Sequence, residues 1–187
     1  MNAYGSLPSA HRAERVVVGV SGSPGSRTAL RAALSEAVRR GAELWAVTAW
    51  VVPGGLVATR RAAPDPLMAQ QCRSLAWDAL VDSLDGTLGG TDPGVPLRAL
   101  PVHGAPGRSL VDLADREGDL LVVGAGRSGA LRRFQPGPVA RYCLMHATCS
   151  VMAVPPSPLE AEWKSVRRRN ALGLPLDTGR LLGTSHG

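Results

Sequence analysis

Apolar and polar residues follow two different patterns along the chain after residue 14. Five short runs of mostly Val, Leu and Ala carry few polar residues, which predicts strands covered on both sheet faces. The segments between them repeat apolar residues at spacings of three and four, which predicts amphipathic helices. The resulting βαβαβαβαβ order indicates an α/β fold: a five-stranded, mainly parallel open sheet with helices on both faces. The predicted strands cover residues 16–20, 44–52, 96–103, 119–125 and Ser150–Val154.

The helices are predicted from their end signals as well as from their periodicity. Ser23 is a good N-cap, Pro24 suits the first helical position, and Gly41 ends the helix predicted over residues 24–40. The other predicted helices cover about residues 67–84, begin near residue 106, and cover about residues 138–146. In the second helix the spacing predicts one apolar side, formed by Met68, Cys72, Leu75, Ala79 and Leu80.

The length and composition indicate one domain with appendages. With 187 residues and 44% hydrophobic content the chain can fill one core, to which aromatic residues, at 4%, contribute little. Residues 1–14 show no periodic pattern and are expected to form a flexible N-terminal segment, and residues 15–155 hold the predicted domain. Residues 156–187 are rich in Pro, Gly and charge. They are expected to form a basic, flexible C-terminal tail, in which 159–169 are a candidate short helix.

Positive charge is concentrated in two segments. The formal net charge is +6 and the isoelectric point is about 10.2. GRSGALRRFQPGPVAR carries Arg127, Arg132, Arg133 and Arg141 without an acid, and WKSVRRRN lies in the tail. Such charge is compatible with nucleic acid or an acidic partner. The chain has a single lysine, which indicates a compositional preference for arginine, and no aromatic-rich surface accompanies the charge, so we expect no nucleic-acid partner.

Signals for a membrane or a secretory route are not found in the sequence. No run of about 18 apolar residues exists to span a bilayer, and the N-terminus lacks a basic start followed by an apolar stretch. The three cysteines, Cys72, Cys143 and Cys149, suit a reducing compartment better than a disulfide framework. We therefore expect a cytoplasmic protein without a membrane partner.

The stretch RVVVGVSGSPGSRTAL raises the question of a phosphate site. A strand, a Ser/Gly loop and a helix follow one another at once, which is the layout with which α/β folds present helix N-terminal amides to an anion. SGSPGS is also similar to the pyrophosphate loop of ATP pyrophosphatases: Ser21, Gly22 and Ser26 match it, whereas Ser23 and Gly25 depart from it. The loop is interpreted mainly as a capped turn, and an adenylating enzyme stays open as an alternative.

Three segments resemble the universal stress protein family in the right order and spacing: VVVGVSGSPGSRTALRAALSEA, VHGAPGRSLVDLA and DLLVVGAGRSGALRRFQPGPVARYCLMHATCSVMAV. The resemblance covers about residues 15–155 and is to single-domain, actinobacterial-like members. It implies a Rossmann-like five-stranded domain that usually forms a homodimer, often through the last strand, here Ser150–Val154. It also implies that ATP is a candidate ligand, since many members bind ATP without rapid turnover and others bind none.

The ATP-binding members of the family carry a signature of Gly, two residues, Gly, nine residues, Gly and then Ser or Thr. The first and last glycines match Gly124 and Gly137, whereas the middle one falls on Arg127 and the Ser/Thr position on Pro138. Proline has neither the hydroxyl nor the backbone N–H that a phosphate would use. The position at which members often carry an acid, at the end of strand one, is Ser21 here.

The resemblance therefore implies an altered nucleotide loop. Arg127 cannot adopt a glycine-like backbone cheaply, although its guanidinium could contact a phosphate directly. As a solvated surface the same arginine-rich segment needs no function, and Gly126 and Gly129 lie at the wrong spacing for the signature. The candidate cofactor-binding residues are Gly124, Gly137, Arg127, Gly126, Gly129, Ser21 and Val139.

Other chemistry-bearing residues form weaker patterns. In CLMHATC, Cys143, His146 and Cys149 lie three apart, but no fourth zinc ligand is near in the sequence and no metal is expected. His103 ends strand three on the ligand side and is a candidate for ligand contact or for filling the turn. No Ser/His/Asp or paired-carboxylate set falls at several strand ends together, so we expect no catalytic residues and no enzyme.

Taken with the resemblance, these patterns predict a stress-response regulatory or binding module. It would act through dimerisation and through a protein partner or small ligand, with weak or absent ATP binding. One alternative is an ATP-binding universal stress protein with slow hydrolysis. A second alternative is a basic protein that binds nucleic acid or acidic partners.

Overall fold

A computed structural model describes residues 14–54, 65–89, 92–126 and 136–157. Within these residues strands and helices alternate, as the hydropathy pattern predicts. The strands are β1 (Arg15–Gly19), β2 (Glu43–Trp50), β3 (Leu97–His103), β4 (Leu120–Gly124) and β5 (Ser150–Val154). The helices are α1 (Pro24–Arg40), α2 (Pro66–Leu88), α3 (Pro106–Leu113) and α4 (Pro138–His146). None of these helices combines the length and the apolar character needed to cross a membrane.

The five strands form one parallel sheet in the order β3-β2-β1-β4-β5, which confirms the predicted α/β class. The first half of the chain builds outward from β1 through β2 to β3, and the second half builds outward on the other side through β4 to β5. Val16 lies beside Leu44 on one side and Leu120 on the other. The strand order therefore reverses between β1 and β4, where open α/β sheets leave a crevice at the carboxyl ends of the strands.

Alternate side chains of the strands build two separate cores. On one face Val16 and Val18 pack with Leu44 and with residues of α1 and α2, such as Leu30 and Leu80. On the other face the strands pack against residues of α3 and α4: Val17, Val47, Leu121 and Val123 meet Leu110, Ala114, Ala140 and Cys143. Because both faces are covered, the strands are apolar throughout instead of alternating, which is the pattern seen in the sequence.

The predicted end signals of α1 are confirmed. Ser23 is the N-cap, and its side-chain oxygen accepts a hydrogen bond from the backbone N–H of Ser26 at 3.3 Å. Pro24 is the first helical residue, and Gly41 closes the helix with φ +62°, a left-handed conformation that glycine adopts without strain. The strand before it covers Arg15–Gly19, one residue earlier than predicted at both ends.

The apolar side predicted for α2 is wrong except at Leu80, which is buried. Ala76, Leu80, Ser83 and Leu84 are its buried residues. Met68 and Leu75, predicted on the same side as Leu80, are 42% and 69% exposed, and Ala79 is also exposed. Helix α2 packs on β2, β3 and α1, and small residues at Ala76 and Ser83 allow that close approach. The contacts of α2 with β2, β3 and α1 therefore bury a side of the helix that differs from its most apolar side.

The amino-terminal end of the sheet carries a buried ion pair. Arg15 is 4% exposed, and its guanidinium donates to both carboxylate oxygens of Asp119, at 2.9 and 2.5 Å. It also reaches Asp115 at 2.7 Å and lies 4.6 Å from the ring centre of Trp45. The interaction with Arg15 lowers the pKa of the exposed Asp115 carboxyl. This cluster ties the start of β1 to the start of β4, at the end of the sheet opposite the switch-point crevice.

Candidate ligand-binding site

A cavity of about 340 Å³ lies at the switch point between β1 and β4. Its size falls in the range of small-molecule sites, and its place is the one where open parallel sheets bind ligands. Four groups of residues form it: the carboxyl ends of β1, β2 and β4, the starts of α1, α3 and α4, the Ser/Gly turn before α1, and the segment after β5. The lining residues are Gly19, Val20, Ser21, Ser23, Gly25, Ser26, Val47, Ala49, Pro106, Leu110, Val123, Gly124, Gly126, Gly137, Pro138, Val139, Ala140 and Pro156.

Two strand-end glycines let the walls of the cavity approach each other. A Cβ on Gly124 would lie 3.0 Å from the carbonyl oxygen of Gly25, so the end of β4 abuts the first turn of α1. A Cβ on Gly19 would lie 2.8 Å from a methyl group of Leu110 on α3. At Gly124 the obstacle is backbone, so a larger residue would push α1 away from the sheet. At Gly19 the obstacle is the end of the Leu110 side chain, which would have to turn aside.

The loop between β4 and α4 begins and ends at one point beside the cavity. Gly126 has φ +88°, and a Cβ there would lie 2.7 Å from the Cα of Gly137. The N–H of Gly137 donates to the carbonyl of Ala125 at 2.8 Å, and the N–H of Ala125 donates to Val154 at 2.7 Å. The left-handed backbone typical of a phosphate loop is therefore present at Gly126, one residue before the signature position.

Three helices point their amino ends at the cavity, where the helix dipole is positive. In α1 the side chain of Ser23 caps the first turn. The N-caps of α3 and α4, Ala105 and Gly137, supply no side-chain hydrogen bond. Because Pro138 has no N–H, the first amide donors of α4 belong to Val139 and Ala140, which both line the cavity. The cavity thus offers backbone amides to an anion.

Hydroxyl groups supply the other polar contacts of the cavity. The Oγ atoms of Ser21 and Ser23 are 3.0 Å apart, and the N–H of Ser21 donates to the Oγ of Ser26 at 3.2 Å. No acidic, basic or imidazole side chain is among the described residues that line the cavity. The described part of the site can therefore hold a ligand through amides and hydroxyls, but it provides no titratable group for general acid–base chemistry.

The model of the universal stress protein family matches residues 13–155. The chain belongs to this family. Its fold is similar to that of the universal stress protein UspA from Lactobacillus plantarum, at 22% identity over 76% of this chain and 98% of that one, with a TM-score of 0.54. A universal stress protein from Burkholderia pseudomallei is 21% identical over 76% of this chain and 96% of that one, with a TM-score of 0.51.

A universal stress protein solved in complex with cAMP is 26% identical, over 78% of this chain and 98% of that one, with a TM-score of 0.48. No similar sequence is found among curated proteins. The family and the Rossmann-like fold expected from the three resembling segments are thus confirmed. The chain is a member of a stress-response family.

Five of the seven candidate cofactor-binding residues lie together at the cavity. Gly124, Gly126, Gly137, Val139 and Ser21 all line the cavity. Arg127 and Gly129 lie outside the described residues, so their predicted role stays a prediction. Ser21 lines the cavity just after β1, where it presents a hydroxyl, and its predicted role in binding a ligand stays a prediction.

His103 does not line the cavity that the described residues form. It is exposed at the end of β3, and its ring packs on Trp50 with 4.7 Å between ring centres. Strand β3 is the far edge of the sheet, three strands from β4, so a residue at its end is on the ligand side but remote from the switch point. Strand order, which the sequence does not show, therefore decides the place of this histidine.

The residues of CLMHATC have separate local partners. Cys143 is buried against the carbonyl of Gly107, and burial raises the pKa of its thiol to about 11. Burial also raises the pKa of Cys149. The Nδ1 of His146 lies 2.9 Å from the carbonyl of Tyr142 in its own helix. Among the described residues no three His, Cys, Asp or Glu side chains are grouped to hold a metal.

Several lining residues were not identified from the sequence, because their side chains carry no polar or reactive group. Pro106 and Leu110 reach the cavity from α3, and Val47 and Ala49 reach it from β2. Their common signal is position: they lie in the carboxyl-terminal half of β2 or in the first two turns of α3, toward the carboxyl edge of the sheet. That signal becomes usable only once the strand order is known.

Proposed function

We propose that this protein is a regulatory binding module whose cavity takes a small ligand with one anionic group, such as a nucleoside monophosphate, and that it binds ATP weakly or not at all. The observation that carries the proposal is the start of α4. Its N-cap Gly137 leaves the first turn without a side-chain cap, and Pro138 removes the first amide donor from that turn. An anion finds donors there, but fewer than the family signature provides.

The balance of donors favours a small anion over a triphosphate. The uncapped starts of α3 and α4 contribute amides and positive dipole ends, worth roughly 0.3–1 kcal/mol each for an exposed anion. Losing one hydrogen bond to a charged group costs about 1.5–3 kcal/mol. At Pro138 both an amide and the hydroxyl of the usual Ser or Thr are lost, so a triphosphate that uses these donors binds much less tightly.

Binding without turnover is the activity that the described lining supports. Hydrolysis of a phosphoanhydride needs a group that positions water or stabilises developing charge. The lining side chains in the described part of the site are apolar residues, glycines, prolines and serines. A bound nucleotide would be held and sensed instead of being consumed, which is the behaviour of a regulatory module.

The test is a ligand assay on the purified chain. The protein is denatured and the supernatant is analysed for released nucleotide by chromatography, and the thermal midpoint is measured with AMP, with cAMP and with ATP plus magnesium. We expect AMP to raise the midpoint more than ATP. Ala49→Leu, which fills the cavity, should remove the AMP effect, whereas the matched change Ala79→Leu on the exposed side of α2 should keep it.

A gain-of-function variant tests the role of Pro138. Pro138→Ser restores a hydroxyl and an N–H at the start of α4, and we expect it to raise ATP affinity by about tenfold or more. ATP that co-purifies near stoichiometry with the unchanged protein would contradict weak ATP binding. An absence of any shift with AMP and cAMP would contradict the nucleotide form of the proposal.

Slow ATP hydrolysis is the second candidate function, and it is favoured by the two residues at which the loop between β4 and α4 begins and ends. Gly126 has a positive φ and lies close to Gly137, so the backbone there keeps a conformation that phosphate-binding loops use. In this alternative Arg127, which lies outside the described residues, compensates with its guanidinium for the donors lost at Pro138. Stoichiometric ATP in the chromatographic assay, with ADP accumulating over hours, would favour this candidate over the first.

The regulatory proposal includes a homodimer formed through β5. Both sheet edges, β3 and β5, lack a partner strand within the described residues. Strand β3 contains Pro101 and Arg98, which blunt an edge against pairing. Strand β5, with the sequence SVMAV, contains neither a proline nor a charge. Its edge is therefore the one suited to pairing with a second copy.

A further inference from the structure

The described part of the molecule is not basic, although the whole chain is. Within the described residues, arginines number ten and acidic residues twelve, and no lysine is present. The full chain nevertheless carries a formal charge of +6. The excess of positive charge therefore belongs to the other residues, and one block of it is the run Lys164 to Arg169 in the sequence WKSVRRR.

Helix α2 presents an acidic and apolar outward face, here named the α2 face. Asp78, Asp82 and Asp85 are exposed, and their spacings of four and three place them on one side of the helix. No cation among the described residues pairs with them. Toward the start of the helix the same side continues with apolar residues, of which Leu67 is 62% and Leu75 69% exposed.

The C-terminal tail carries the complementary order of residues. Trp163 and Val166 are its apolar positions in this stretch, and Arg167 to Arg169 follow directly. The α2 face is apolar and then acidic along the chain. The tail segment 163–169 begins with a tryptophan and ends with three arginines, with Lys164 and Val166 between them. We propose that residues 163–169 of the same chain dock on the α2 face, with the tryptophan against Leu67 and Leu75 and the arginines beside the three aspartates.

The reach of the tail fits this placement. The described chain ends at residue 157, just after β5, while α2 packs on β2 and β3. Those strands lie three and four positions away from β5, which at roughly 4.8 Å per strand is about 14–19 Å. Pro156 lines the cavity beside the ends of β1 and β4, so only one to two strand spacings remain in the plane of the sheet. The six residues from 157 to 163 span up to about 20 Å when extended, which leaves length to pass outside the helix layer. Helix α2 follows β2, so it starts at the same carboxyl edge of the sheet at which β5 ends.

Docking on the α2 face gives the tail a salt-sensitive position on the surface. Exposed ion pairs contribute little singly and are screened by salt, whereas a cluster of three carboxylates facing three arginines adds several such pairs. The α2 face lies on the outside of the helix layer and does not belong to the cavity. The docked segment therefore neither blocks nor lines the proposed ligand site.

Tryptic cleavage of the full-length chain tests the proposal. Cleavage after Arg167 to Arg169 is followed by mass spectrometry at low and high salt, and an unstructured arginine-containing peptide added to the same digest reports the activity of the protease. We expect slow tail cleavage at low salt and faster cleavage at high salt. Asp78→Asn with Asp82→Asn should accelerate tail cleavage at low salt by about three- to tenfold.

Two further variants make the outcome decisive. Asp112→Asn with Glu117→Gln changes the net charge equally at exposed positions away from α2 and should leave tail cleavage unchanged. Trp163→Ala should accelerate it, because it removes the apolar contact. Fast tail cleavage in the unchanged protein overturns the proposal. Protection that survives the change of Asp78 and Asp82 in a folded variant overturns it as well, and protection that disappears on dilution indicates a tail from a second copy.

Discussion

Single residues set the limits of the cavity, and most of them are glycines. At Gly124 a Cβ would meet the backbone of Gly25, and at Gly126 it would meet Gly137. The sequence identifies Gly124 and Gly137 through the family signature, because their spacing is visible along the chain. The sequence also names Gly126 as a candidate, although off the signature spacing. Its positive φ and its close approach to Gly137 depend on how the loop closes, so they are visible only in the structure.

At the residue scale we predict unequal effects for the two carboxylates beside Arg15. Asp119→Ala should lower the free energy of unfolding by about 3–5 kcal/mol, because it leaves a buried guanidinium without its bidentate partner. Asp115→Ala should change it little, since the Asp115 side chain is 66% exposed. Urea unfolding of both variants at neutral pH measures the difference, and similar losses would contradict this account of the cluster.

The sign of the pH dependence at Asp115 follows from the direction of its pKa. Arg15 holds the pKa of this carboxyl below its ordinary value. The contribution of Asp115 to stability is therefore present above the ordinary carboxyl range and is lost as the pH falls through the lowered value. The small difference between the unchanged protein and Asp115→Ala should accordingly disappear in acid.

At the scale of elements, the ends of a helix can be predicted from its own sequence, whereas its buried side cannot. The ends of α1 follow from Ser23, Pro24 and Gly41, because capping is an interaction within one turn of the chain. The buried side of α2 does not follow from its own sequence, because several of its sides carry apolar residues. The contacts of α2 with β2, β3 and α1 chose the side with Ala76 and Leu80.

We predict that the cap of α1 is worth about 1 kcal/mol. Ser23→Ala should lower the free energy of unfolding by about that amount, since it removes the acceptor for the N–H of Ser26. Ser21→Ala is the matched control two residues earlier, where the hydroxyl contacts only the Oγ of Ser23 among the described contacts. Denaturant unfolding of the two variants decides the point, and an equal loss from both would show that the turn is not held by the cap.

At the scale of the whole molecule, the two edges of the sheet are not equivalent. We predict that the protein is a dimer at micromolar concentration and that Val151→Lys in β5 makes it a monomer, because a charge on an edge strand opposes pairing. Leu97→Lys places the same charge at a half-buried position of the other edge, β3, and should leave the dimer intact. Equilibrium sedimentation shows which edge forms the dimer, and circular dichroism checks that both variants are folded. If only the β3 variant dissociates, the interface is not formed by β5.

The sequence by itself determined the α/β class, the element order, the caps of α1 and the family, because these depend on periodicity, on contacts within one turn and on motifs that are contiguous along the chain. The tertiary structure decided which residues meet at the cavity, which side of α2 is buried and which histidine is remote from the site. These outcomes depend on strand order and packing between distant segments. Gly25, at the start of α1, becomes a neighbour of Gly124 only because β1 and β4 are adjacent in the sheet.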